Sequence, residues 1–278
     1  MNGERVIASD GASLAGEVAG DGVPVVLLHG LTASRRYVVM GSRSLERSGH
    51  QVIAYDARGH GQSSPAANPG AYTYADLTGD LEAVLDAFEI DRAVLAGASM
   101  GAHTALAYAL RAPERVGGLV VITPAYDVGE VDDPVRLARW DALAAGLRQG
   151  GIEGFVEAYG EPTTDPRWRE TVEKVIRQRL AVHDHLDAVA DALEVVPRSR
   201  PFGSIEDLAA IDVPTVVVAS GDEADAGHPQ AVGEAYAATI PGARLVTDAP
   251  GKSPVAWRGS QLSALIAEVA VQSGQRFG

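Results

Sequence analysis

Gly97-Ala98-Ser99-Met100-Gly101 decides how this chain is read. It follows a run of β-branched and small apolar residues, Arg92-Ala93-Val94-Leu95-Ala96, and opens a helical stretch, Met100 to Arg111. A G-x-S-x-G string in that strand-to-helix context predicts a very tight turn. Side chains two positions either side of the serine would strike neighbouring backbone, and glycine removes the clash. Ser99 is thereby held up at the carboxyl edge of a sheet, with the N-terminal N–H groups of the next helix aimed at it.

Working outward, three more strand-sized apolar runs accompany this one: Val23 to Leu28, Gln51 to Tyr55 and Gly118 to Ile122. Such runs suit strands buried on both faces of a parallel sheet. Between them, Leu77, Leu81, Val84, Leu85 and Phe88 recur at helical spacing over Tyr74 to Phe88. Strand and helix alternate, which is the α/β signature. Ahead of this, Arg5–Ala8 and Ser13–Ala19 flank Ser9-Asp10-Gly11 as an antiparallel hairpin at one edge. From about Tyr126 to Asp207 the alternation stops. Pro134–Leu147, Gly151–Tyr159, Arg167–Val182 and Asp184–Val195 read as helices set apart by Gly or Pro. Strand character returns at Pro214–Ala219 and Arg244–Val246, and a last helix is expected from about Ser260 to Val271. The expected organisation is one α/β core, 1–125 and 208–278, interrupted by an all-helical insertion, 126–207.

Composition narrows the chemistry. The 278 residues contain 37 Asp+Glu against 23 Lys+Arg, a net charge of -14. Such a field disfavours nucleic acid and anionic membranes as partners. With no cysteine, thiol nucleophiles, disulfides and cysteine-held metals are excluded. The start has no basic segment leading into an apolar one, and no apolar run is long enough to span a bilayer, so a cytoplasmic protein is expected. Phosphate-binding glycine loops and metal-ligand motifs such as His-Glu-x-x-His do not occur, so no cofactor and no metal are expected. The expected partner is a small-molecule substrate; oligomeric state is left open.

Further motifs surround the serine. His29-Gly30-Leu31 follows the third strand, Asp56-Ala57-Arg58-Gly59-His60-Gly61-Gln62-Ser63 follows the fourth, and Pro113-Glu114-Arg115-Val116 follows the helix after Ser99. With the turn at Ser99, these motifs resemble the α/β-hydrolase superfamily over about Glu4–Ala125 and Ile211–Val271. The insertion stands where that superfamily carries a variable helical cap. The resemblance implies a mostly parallel central sheet flanked by helices, and Ser99 as nucleophile on a nucleophile elbow. It also implies an oxyanion hole formed by the backbone N–H groups of Leu31 and Met100. His29 and His60 are expected to be structural.

The same resemblance places the catalytic acid in Ser220-Gly221-Asp222-Glu223-Ala224-Asp225-Ala226-Gly227-His228-Pro229. Asp225, four residues before Pro229, is preferred over Asp222. The catalytic histidine should follow the last strand, in a segment similar to Gly-His-Ser-Pro. This chain has Gly251-Lys252-Ser253-Pro254 there, and no histidine follows His228. A general base must be neutral near working pH, whereas lysine titrates near ~10.4, and a carboxylate beside it raises that further. His228 and His103 are alternative bases, with packing favoured for His103; His183 and His185 belong to the insertion. Trp140, Leu143, Phe155, Tyr159 and Trp168 of the insertion are expected in its core or over the pocket. Three readings follow. The first is a cofactor-independent serine hydrolase of a small ester, lactone or amide, with an atypical triad of Ser99, Asp225 and Lys252. The others are a lyase or isomerase using Lys252 electrostatically, and a ligand-binding pseudoenzyme.

Overall fold

The computed structural model describes residues 3–160, 166–221, 225, 227–248 and 258–277. The first hairpin pairs β1 (Gly3–Ser9) with β2 (Ala12–Ala19) antiparallel, and β2 then pairs antiparallel with β4 (His50–Tyr55). The remaining strands run parallel: β3 (Val23–Leu28), β5 (Ala93–Ala98), β6 (Val116–Ile122), β7 (Thr215–Ala219) and β8 (Arg244–Thr247). The spatial order is β1-β2-β4-β3-β5-β6-β7-β8. The serine turn follows β5, near the middle of the sheet.

Alternation along each strand explains the layers, because successive side chains point to opposite faces. On one face Val26, Leu28, Ile53, Leu95, Leu119, Val121 and Val217 pack against α2 (Tyr74–Ala87) and α3 (Met100–Arg111). The neighbouring residues Val25, Leu27, Val52, Val94, Ala96, Val120 and Val216 face the other way. They meet Leu45 of the short α1 (Ser44–Arg47) and Leu262, Ile266 and Val269 of α8 (Gly259–Phe277). Every residue of β6 and β7 is buried, as a sheet covered on both sides requires.

Between β6 and β7 the described residues are helical or irregular. α4 (Pro134–Tyr159) is broken at Gly151, whose φ of 59° and ψ of -142° turn the chain. The two stretches expected before and after Gly150 therefore form one kinked element. α5 (Arg169–Leu180) and α6 (Leu186–Val195) follow. Both are shorter than the expected Arg167–Val182 and Asp184–Val195, because the flanking residues form 3-10 turns or loops. α7 (Gln230–Thr239), between β7 and β8, was not anticipated from sequence. Its few buried positions, Gly233 and Tyr236, leave little periodic signal. The last helix runs to Phe277, six residues past the expected end at Val271. No helix among the described residues is long and apolar enough to cross a membrane.

Candidate active site

Ser99 caps the N-terminus of α3 with φ 51° and ψ -114°, a conformation that L-residues adopt only under constraint. The constraint is visible. The Ser99 N–H donates to the Ile122 carbonyl at 2.9 Å, and the Ser99 carbonyl accepts from the His103 N–H at 3.1 Å. A Cβ on Gly97 would lie 2.2 Å from the Gly101 carbonyl oxygen, and one on Gly101 would lie 2.1 Å from the Leu28 oxygen. The two glycines thus let α3 pack directly on β3 and β5. The Ser99 side chain makes no capping bond to α3 and is half-buried.

The loop after β3 lies beside this serine. A Cβ on Gly30 would sit 3.4 Å from both Ser99 Cβ and the Ala98 oxygen. The Gly30 carbonyl accepts from His29 Nδ1–H at 2.8 Å and from the Ala33 N–H at 2.9 Å. Across a trans peptide the Leu31 N–H points opposite to that carbonyl. Neither this N–H nor that of Met100 has an acceptor among the described residues.

The buried histidines are bound into this scaffold. His29 Nε2 accepts from the Ala57 N–H at 2.9 Å, so both its ring nitrogens are used. Burial, helped by nearby His60, brings its pKa down to about 4. His183 Nδ1, from the insertion, accepts from the Gly61 N–H at 2.7 Å, and its Nε2–H faces the Thr32 carbonyl at 3.3 Å. Burial again, then His60, brings it down to about 3. His60 lies between them, with ring centroids 5.2 and 5.5 Å away. Its nitrogens face the Arg58 and Leu31 carbonyls at 2.9 and 2.6 Å, and burial lowers its pKa. His103 Nε2 accepts from the Ala125 and Tyr126 N–H groups at 3.0 and 3.1 Å, while Nδ1–H donates to the Tyr74 hydroxyl at 3.0 Å. Burial first, then the charge of His228, pushes it down to about 3. Both ring nitrogens of His103 are thus engaged, one with backbone N–H groups and one with Tyr74.

Asp225 and His228 meet after β7. His228 Nδ1 is 2.6 Å from Asp225 Oδ1, and the His228 N–H donates to the Asp225 carbonyl at 3.1 Å. Burial, the largest influence on Asp225, works to raise its pKa. The charge and hydrogen bond of His228, with Arg179 farther off, outweigh it and hold the carboxyl below its ordinary value. Asp222 and Lys252 lie outside the described residues. Gly221 and Asp248 are tied together, Asp248 Oδ1 accepting from the Gly221 N–H at 2.7 Å. Among the described residues no group of His, Asp or Glu is arranged to hold a metal ion.

The insertion roofs this region. Leu31 and Met100 share one apolar cluster with Leu143, Leu147, Phe155, Leu180 and Leu193, and Trp140 and Tyr159 pack against it. Trp168 stands apart from that cluster, its Nε1–H buried without an acceptor among the described residues. One residue of the roof went unnoticed in the sequence: Arg179 of α5, whose charge is felt by Asp225. One arginine of three in a helix rich in charge carries no distinguishing signal.

Comparison with known proteins agrees with this architecture. A family profile described as alpha/beta hydrolase fold matches residues 23–254. The chain is 30% identical, over 80% of its length and 77% of the relative's, to the 2-hydroxy-6-oxononadienedioate/2-hydroxy-6-oxononatrienedioate hydrolase of Cupriavidus pinatubonensis. A crystal structure of a hydrolase from Pseudomonas aeruginosa superposes with a TM-score of 0.72 at 31% identity, covering 98% of this chain and 97% of that one. A thermophilic esterase from Thermogutta terrifontis superposes with a TM-score of 0.75 at 25% identity, over 99% and 98% of the two chains. Sheet order, the turn at Ser99 and these similarities agree: the chain belongs to the α/β-hydrolase family.

Proposed function

We propose that the protein is a cofactor-independent serine hydrolase that cleaves a small ester, lactone or amide through an acyl-enzyme on Ser99. The observation that carries this reading is the constrained backbone of Ser99, with φ 51° and two glycines without which the turn cannot close. Strain of this kind costs about 1–3 kcal/mol and is retained where a side chain must be presented. The esterase and hydrolase names of the similar proteins support it.

In the reaction the Ser99 Oγ bonds to the substrate carbonyl carbon while its proton passes to a base. The oxygen that becomes negative lies between the N–H groups of Leu31 and Met100, donors set in place before reaction. The tetrahedral species collapses, the leaving alcohol or amine takes the proton, and water repeats the sequence to release the acid. His228 is the base favoured by its contact with Asp225. A carboxylate on Nδ1–H holds the ring as the tautomer whose Nε2 is free to accept a proton. Lys252, a cation by residue type, is assigned to the leaving group or to an anionic substrate group instead.

The test is intact-mass analysis after treatment with a fluorophosphonate, with Ser99→Ala as control. Rapid addition of one label, lost in the control, is expected; no addition removes the acyl-enzyme and moves a lyase, isomerase or pure binder ahead. His228→Gln should lower kcat/KM for a reactive ester by about 10²–10⁴-fold. A loss confined to Lys252→Met would transfer the base role to Lys252.

A further inference from the structure

Arg179 lies on α5 of the insertion, next to Leu180, which is fully buried in the roof cluster with Leu31 and Met100. Its Nε is enclosed and has no hydrogen-bond partner among the described residues. Among the described residues it is the one arginine with a buried nitrogen that lacks a hydrogen-bond partner. Arg35, Arg58, Arg148 and Arg177, by contrast, each hold a carboxylate within 4 Å. Tyr37 covers one side of the guanidinium, with its ring centroid 5.8 Å from the charged carbon. Asp225 and Tyr159 are near enough for their charges to act on it, and burial lowers its pKa against them. Asp225 holds His228 through Oδ1 at 2.6 Å and makes no ion pair with Arg179 within 4 Å. The residue as a whole is half-buried.

An enclosed Nε without a hydrogen bond is costly, and the planar guanidinium fork matches a carboxylate. We propose that Arg179 anchors a free carboxylate on the substrate, so that the preferred substrate is a small ester or lactone that also carries an acid group. This rests on the hydrolase reading of Ser99. It also explains how an anionic ligand is held by a protein whose net charge is -14: the attraction is local and short-ranged, in a partly desolvated site where surface charge is screened.

The proposal is tested by calorimetric binding to the Ser99→Ala protein, which cannot consume the ligand. Monomethyl glutarate is compared with dimethyl glutarate, which has the same carbon frame without the negative charge. The monoester should bind at least about tenfold more tightly, a ratio that falls to near one in Ser99→Ala/Arg179→Gln. Ser99→Ala/Arg179→Lys, which keeps the charge and the long stem, should retain part of the preference, so that a general loss of folding is told apart. Equal binding of the two esters, no binding of the monoester, or a preference that survives Arg179→Gln overturns the anchor. Fluorophosphonate labelling reads the other premise separately. A labelled enzyme without anion preference sinks only the subsite, whereas an Arg179-dependent preference without labelling sinks only the acyl-enzyme.

Discussion

Acidification should unfold this protein well before its carboxylates protonate, because His29, His103 and His183 are buried in neutral form. Each uses a bare ring nitrogen to accept a backbone N–H, from Ala57, from Ala125 and Tyr126, and from Gly61 respectively. Protonation would place N–H against N–H, so the folded chain resists it. The pKa values fall to about 4, 3 and 3, against about 6.5 in an unfolded chain. Protons therefore bind the unfolded state more strongly. The stability from these groups is complete above pH ~6.5 and is lost as pH falls toward the folded values. At pH 5 each unfolded histidine is almost fully charged, which costs the folded state about 2 kcal/mol per residue, or about 6 kcal/mol for three. A domain is stable by only about 5–15 kcal/mol.

The assay is urea unfolding followed by circular dichroism at steps from pH 8 to pH 5. Near pH 5 the slope should approach about 4 kcal/mol per pH unit, the uptake of nearly three protons. His103→Gln keeps an acceptor for the Ala125 and Tyr126 N–H groups but does not titrate. It should reduce the slope by about 1.4 kcal/mol per pH unit, whatever its own stability at pH 8. A stability that is flat from pH 7 to pH 5, or a His103→Gln slope equal to that of the wild type, would refute the neutral-histidine argument.

Other expectations concern packing and charge. Gly101→Ala puts a methyl group 2.1 Å from the Leu28 carbonyl oxygen, where only backbone can yield; it should cost about 3 kcal/mol or more in urea unfolding. Asp80 and Arg58 form a buried two-point pair, with 2.7 Å on each arm. Asp80→Ala removes both arms and leaves Arg58 only the more distant Asp76 at 3.6 Å; it should cost about 3–5 kcal/mol by the same measurement, with unchanged stability counting against the pair. Arg148, on the insertion, reaches Asp191 and Glu194 at 2.6 Å but stands about a third exposed. Its replacement by Ala should shift stability by less than about 1 kcal/mol, and a larger loss would mean that this cluster clamps the insertion.

Much of the frame was legible in the residues alone. A turn that needs glycine at 97 and 101 is a local steric requirement, so the strand, the serine and α3 could be read together from five residues. The strands over Val23–Leu28, Gln51–Tyr55 and Gly118–Ile122 were legible because burial on both faces demands unbroken apolar runs. The hairpin at Asp10-Gly11 needed only its turn. By contrast α7 was missed, since it fully buries only Gly233 and Tyr236 and shows no sustained apolar stripe.

Histidine roles were decided elsewhere. Nothing near His103 in sequence announces that Tyr126 and Tyr74 will occupy its two nitrogens. Nor does anything near His183 foretell the Gly61 N–H that it receives across the gap between insertion and core. Arg179 is one arginine among several on α5, and only the tertiary fold sets it beside Tyr37 and within reach of Asp225. The sequence by itself determined the sheet, the serine turn and the family, because those follow from sterics and burial within short windows. Tertiary structure decided which titratable groups are spent on backbone and which remain available. A proton or a hydrogen bond depends on atoms within a few ångströms, whatever their separation along the chain.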